Sequence, residues 1–201
     1  MTAGDVVVVT GFTAFQGFTE NPSSDIVDLL EKKKIPAFDG KLVTAKMDVV
    51  YEEVEETVNK LWEKKPKLVV HLGVHGGDRH IKLENRSFGK GYTKYDVRGC
   101  VPKNNVCPGY SRRSSPTLYT SINCAAIAAQ VSNEIKCEDL AITDSDDPGR
   151  YLCAYSYYLS LSHDKSRSLF IHVPEFDEVC TLEVVTEAIQ KIILAILKTL
   201  N

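Results

Sequence analysis

The sequence predicts an α/β fold: a three-layer α/β/α sandwich around a mostly parallel, twisted central sheet. Two observations lead there. Apolar runs rich in Val and Ile alternate with longer segments of helical period, and strand–helix alternation puts helices on both faces of a mostly parallel sheet. The chain of 201 residues is also long enough to form one domain, 1–201, with a sizeable buried core.

The elements follow in order. The opening "DVVVVTGF" (5–12) has four valines in a row and reads as a buried strand. "PSSDIVDLLEKKK" (22–34) opens on Pro22, Ser23, Ser24 and Asp25, residues suited to a helix start. A second strand, 41–49, leads into a helix at 51–65, and "KLVVHLGV" (67–74) forms a third strand. A helix at 120–135 precedes the strand "LAITDSD" (140–146), and the helix 150–164 leads to the strand "SLFIHVP" (168–174). A helix at 181–200 closes the chain. Between them, 85–118 is rich in Gly, Pro, Asn and Arg and holds at most short strands. An excursion of that length in a compact domain is usually functional or disordered. Here Tyr92, Tyr95 and Tyr110 give it side chains to pack, so an ordered excursion near the site is expected.

Composition bounds the function. Apolar content of 43%, charged content of 25% and a net charge of −3 are ordinary for a globular protein and offer no basic face for nucleic acid or an anionic membrane. The N-terminus lacks the basic start and apolar core of a secretory signal, and "IILAIL" (192–197) is too short to span a bilayer. A cytoplasmic protein is expected, and its six cysteines then read as free thiols rather than a disulfide framework. No Cys-x-x-Cys pair occurs, and His71 and His75 lie on a strand where they do not converge, so no metal site is expected. The spacings of a dinucleotide fingerprint and of a phosphate-binding loop are both missing.

Ligands of open α/β sheets bind outside the carboxyl ends of the strands. The segments expected there are "TGFTAFQG", "GVHGGDRHIKLEN", "SDDPGRYLC" and "HVPEF", which are expected to converge on one sheet edge. Cys153 stands where a loop becomes a helix, and there unpaired N–H groups and the helix dipole favour a thiolate and could hold an oxyanion. His172 closes an apolar strand, and Glu84 precedes a polar loop. Each has a bland reading, as a packed thiol, a satisfied core histidine or a surface acid. Together they have the composition of a Cys-His-acid triad. Of the other histidines, His71 reads as core, His75 and His80 as lining groups, and His163 as a helix-end residue. Phe12, Phe15 and Phe18 either anchor a loop or form an apolar pocket for a flat ring.

Four stretches, "VVVVTGFTAFQGFTENPSS", "VVHLGVHGGDRHIKLE", "SDDPGRYLCAYSYY" and "FIHVP", resemble in order and spacing the pyroglutamyl peptidase I family of cysteine peptidases. The likeness runs from about residue 6 to the last helix, and "GRYLC" and "KGY" lean toward its animal type. The resemblance implies removal of N-terminal pyroglutamate from peptides. It places the nucleophile at Cys153, the general base and acid at His172 and the orienting acid at Glu84, with Phe12 and Phe15 against the pyroglutamyl ring. No cofactor is implied, and the expected partners are N-terminally pyroglutamylated peptides; monomer and homo-oligomer both stay open. The chain departs from the family pattern at Ala14, Gln16, Lys82, Asn85, Pro148 and Ala154, and Lys94 stands at the place of an arginine found in bacterial members. Those departures leave a second reading: a catalytically weak homologue that binds pyroglutamyl peptides or acts as an interaction protein. A nucleoside phosphorylase-like enzyme on a similar sandwich lacks a phosphate signature here.

Overall fold

The computed structural model describes residues 5–14, 20–110 and 115–200. Its elements are β1 (Val6–Phe12), α1 (Pro22–Lys33), β2 (Lys41–Met47), α2 (Tyr51–Glu63), β3 (Leu68–Val74), β4 (His80–Glu84), β5 (Arg86–Phe88), β6 (Thr117–Tyr119), α3 (Cys124–Ser132), β7 (Ala141–Ser145), α4 (Leu152–His163), β8 (Ser168–Val173) and α5 (Leu182–Thr199). Six strands form one sheet in the order β2-β1-β3-β8-β4-β7, and β5 and β6 form a separate antiparallel pair.

Successive side chains of a strand point to opposite faces, and β1 displays this directly. Val7 and Val9 enter a core shared with Ile26 and Leu30 of α1, Ile127 of α3 and Ile189 of α5. Val8 enters a second core with Val54 and Val58 of α2 and with Tyr155 and Leu159 of α4. The sheet is thus covered on both faces, and the strand and helix runs expected from the sequence are present within a few residues of their ends. Among the described residues, no helix is long and apolar enough to cross a membrane.

The sheet differs from the expectation in one unanticipated strand, β4, and in the direction of β7. β1, β2, β3 and β8 run parallel, but β4 lies antiparallel to β8 and β7 runs parallel to β4. The carboxyl ends of β4 and β7 therefore do not share the edge formed by β1, β3 and β8. A parallel return needs a crossover of about a dozen residues. The "HGGDR" between β3 and β4 is too short for one, so the chain turns back. "HIKLE" is a strand rather than a loop, because Ile81 and Leu83 alternate into the core.

Local signals set the helix starts. Asn21 caps α1 by accepting from Ser23 N, Asn123 caps α3, and Thr181 caps α5. α2 has no cap of its own; the buried Asp96 reaches in from the 85–118 excursion, and its Oδ2 accepts the Tyr51 amide at 3.2 Å. Its Oδ1 takes the amides of Arg98 and Cys100, each at 2.9 Å, so one carboxylate closes a loop and starts a helix. Tyr92 is fully buried edge-on against Tyr51 and Tyr155, and Tyr110 is half-buried. Tyr95, expected to pack as they do, stays 70% exposed.

A buried polar chain crosses the second core. Thr10 Oγ1 meets His71 Nδ1 at 2.7 Å, His71 Nε2 meets Ser160 Oγ at 2.6 Å, and Trp62 Nε1 donates to the same hydroxyl at 2.9 Å. Both ring nitrogens are partnered by hydroxyls, and burial lowers the His71 pKa from 6.5 to about 3. Unfolding exposes a ring that takes up a proton below pH 6.5 while the native ring stays neutral, so stability falls as pH drops from about 6.5 toward 3. The expected slope from this residue is up to about 1.4 kcal/mol per pH unit. Urea unfolding of the wild type and His71→Gln at pH 7 and pH 4.5 checks this, and an equal loss in both would refute it.

Candidate active site

The site is built around β8, whose six residues are all buried. His172 is paired with Gly73 of β3 on one side and Lys82 of β4 on the other. Lys82 and Glu84 share a face of β4, which makes Glu84 the diagonal neighbour of His172 across an antiparallel pair. From there its Oε1 accepts the His172 Nδ1 proton at 2.7 Å. Glu84 is fully buried, and its Oε2 has no hydrogen-bond partner among the described residues. Tyr157, one helical turn beyond Cys153, fixes the same residue by donating its hydroxyl to the Glu84 carbonyl at 2.7 Å.

Cys153 is the second residue of α4 and is half-buried. β7 ends away from the β8 edge, so 146–151 must carry the chain back to the helix start. Gly149 turns it with φ of +75°, a conformation that glycine adopts without strain. The helix then drops its thiol onto Gly73: Sγ lies 2.9 Å from where a Cβ on that residue would stand. A side chain at position 73 would occupy the thiol's place. Tyr151 gives α4 no side-chain cap, and the first intrahelical bond runs from the Tyr155 amide to the Tyr151 carbonyl. The amides of the first turn are left facing the site with the positive end of the dipole.

Charge gathers on the imidazole. Burial, the largest influence, opposes protonation of His172, but hydrogen bonding and charge from Cys153 and Glu84 outweigh it and raise the pKa to about 9. An imidazolium between a thiol and a carboxylate is the arrangement that stabilises a thiolate.

Beside the thiol lies a small hollow of about 30 Å³, walled by Phe12, Asn21, Val49, Val74, Tyr151, Leu152 and Cys153. Of the sequence-predicted site residues, the structure brings Cys153, His172, Glu84 and Phe12 together; Phe15 lies outside the described residues, as does Gln16. A larger cleft of about 450 Å³ between α2 and the excursion contains none of the four. His75 stands edge-on to His172, ring centroids 6.1 Å apart, with Nε2 bonded to the His80 carbonyl. His163 stacks on Trp62, away from the site. Among the described residues, no cluster of His, Cys, Asp and Glu could hold a metal ion.

The family departures have plain local settings. Lys82 pairs with Asp78 at 3.7 Å, and Asn85 donates to Asp144 at 2.8 Å. Pro148 is buried in the returning loop, and Ala14 is exposed. Ala154 is buried, its carbonyl accepting from Ser87 Oγ at 2.6 Å. Lys94 is exposed, and Arg98 pairs with Glu53. Sequence reasoning did not single out Tyr157, Val49 or Tyr151. The run "AYSYY" in a helix start was the available signal, since so many tyrosines on one turn need hydroxyl partners.

An α/β/α sandwich that lines up a thiol, an imidazole and a carboxylate at the edge of a mixed sheet defines a class of α/β protein with a cysteine-centred site. Comparison with known proteins narrows the class. Residues 2–177 match the family described as "Putative pyroglutamyl peptidase PgaPase_1". Pyroglutamyl-peptidase 1 of Mus musculus and that of Homo sapiens are each 34% identical over 188 residues, covering 93% of this chain and 87% of theirs. A mutant pyrrolidone carboxyl peptidase from Pyrococcus furiosus superposes with a TM-score of 0.84 over 98% of this chain and 100% of its own, at 24% identity. The chain belongs to the pyroglutamyl peptidase family.

Gly73→Ala should displace the thiol rather than unfold the protein, because the three nearest atoms to the added methyl belong to the Phe170 ring and Sγ, side-chain rather than backbone atoms. We expect a stability loss of about 1–3 kcal/mol and Cys153 alkylation by iodoacetamide slowed on the order of tenfold. Mass spectrometry of the labelled peptide measures the rate, and an unchanged rate would show that Gly73 does not seat the thiol.

Proposed function

We propose that this chain is a cysteine peptidase that hydrolyses the amide bond after an N-terminal pyroglutamyl residue. The observation that carries this reading is the row Cys153, His172 and Glu84 opening into an apolar hollow walled by Phe12. Pyroglutamate is a neutral lactam, so an apolar slot with few polar atoms suits its ring; Phe12 stands in its wall, and the family resemblance gives Phe15 as a second aromatic contact. A charged free N-terminus would lose its water there without gaining a partner, so the slot selects by exclusion.

In the reaction the Cys153 thiolate attacks the pyroglutamyl carbonyl carbon, and the first-turn amides of α4 hold the oxyanion. Protonated His172 gives its proton to the departing amine as the C–N bond breaks, leaving a thioester on Cys153. A water then attacks the thioester; His172 takes its proton, the C–S bond breaks, and free pyroglutamate leaves. Glu84 holds the ring orientation and favours its charged form. All six cysteines are unpaired, which supports a reducing compartment such as the cytoplasm.

A fluorogenic pyroglutamyl amide tests the reading. Cys153→Ser should cut turnover by about 10³-fold or more; undiminished turnover would sink the assignment. The imidazolium with pKa about 9 is present below that value and lost above it, so kcat/KM should fall as pH rises through about 9. Glu84→Gln removes a charge that raises this pKa and should shift the alkaline limb to lower pH. A limb that stays put would remove Glu84 from its role.

A further inference from the structure

The segment that follows Lys94 in the excursion is tied to the hollow at two points. The Tyr151 hydroxyl donates to the Tyr95 carbonyl at 3.0 Å, and the Val97 amide donates to the Val49 carbonyl at 3.1 Å. Tyr151 and Val49 are both wall residues of the hollow that contains Cys153. Residues 95–97 are therefore bonded to two wall residues of the hollow, as a rim segment outside its own lining. Between the two ties Asp96 is buried and fixed by three backbone amides, so the rim is held in one conformation. The side chains on either side of Asp96 are left in water, Tyr95 at 70% and Val97 at 54% exposure, two of the four large apolar residues most exposed among those described. Apolar side chains held on a rigid backbone beside a reactive group are surface that a ligand can cover without ordering a loop.

We propose that Tyr95 and Val97 bind the side chain of the residue immediately after pyroglutamate and make the protein prefer substrates in which that residue is aromatic or branched aliphatic. The inference rests on the peptidase reading for the identity of the ligand. With the lactam ring in the hollow and its carbonyl at Cys153, the rest of the peptide has to leave over the hollow's edge, and residues 95–97 are bonded to two of the residues that wall it. The hollow, walled by seven residues, receives the lactam ring in this reading, so the side chain of the next residue lies beyond it. Covering a Tyr and a Val there favours an apolar partner over glycine or a charged residue.

Pyroglutamyl dipeptide amides with Phe, Leu, Gly or Asp in second place are the probes. We expect the wild-type protein to show kcat/KM about tenfold higher for Phe and Leu than for Gly or Asp. In Tyr95→Ser and in the Tyr95→Ser/Val97→Ser double variant that ratio should collapse to within about twofold. Both sites are exposed, and a thermal melt confirms that each variant is folded. Binding of the same amides to Cys153→Ala, measured by calorimetry, should give the same order without any turnover. Equal affinities for the Phe and Gly amides there, or a ratio that survives Tyr95→Ser, would overturn the rim assignment. Failure of the wild type to hydrolyse any of the four, while Cys153→Ala still ranks them, would overturn the peptidase reading and leave the rim.

Discussion

The hydrogen bond from His172 to Glu84 depends on a strand that runs against its neighbour. β4 lies antiparallel to β8, and that register alone makes Glu84 the diagonal partner of His172. Taking a carboxylate wholly out of water is costly unless it is paired. Here one oxygen has the imidazole and the other has no partner, so among the described residues Glu84 depends on His172 for its side-chain compensation. The same strand direction propagates. β7 follows β4, so the chain emerges from β7 away from the β8 edge, and a buried proline and a left-handed glycine bring it back to deliver Cys153.

What holds the nucleophile is mostly α4 itself. From Ala154 to Leu161 every residue of this helix is buried, as expected of a helix covered on all sides. It lies between the sheet and the excursion. Its tyrosine hydroxyls reach the Glu84 carbonyl from Tyr157 and the Ser115 carbonyl from Tyr158, and its Ser160 joins the His71 chain. A helix pinned at so many levels cannot slide, and its first turn, with the thiol, inherits that rigidity.

The fold was largely legible in the residues. Continuous Val and Ile runs marked β1, β3 and β8, helical period marked the five α-helices of the described residues, and the pairing of both faces followed. β4 was not legible as a strand, because five residues after a Gly-Gly turn look like a loop until a neighbouring strand supplies hydrogen bonds. The expectation that all site segments lie at carboxyl ends of one edge failed for that reason. Cys153, His172 and Glu84 were nevertheless nameable, because the stretches that hold them resemble a known family in order and spacing, even though two of them arrive by a route the strand rule does not describe. Tyr95 illustrates the opposite limit: composition says that an aromatic can pack, but only the backbone trace says whether anything is there to pack against.

The capping role of Asp96 separates two kinds of position in the excursion. Its carboxylate serves the start of α2 and the backbone of its own turn, so a change there would be felt in the helix and in the fold. The residues on either side are tied to the structure by main-chain atoms, the Tyr95 carbonyl and the Val97 amide. Their side chains are more than half exposed. Natural variation or laboratory selection can exchange them at little cost in stability, giving this scaffold two adjustable sites two residues apart on an otherwise inflexible edge.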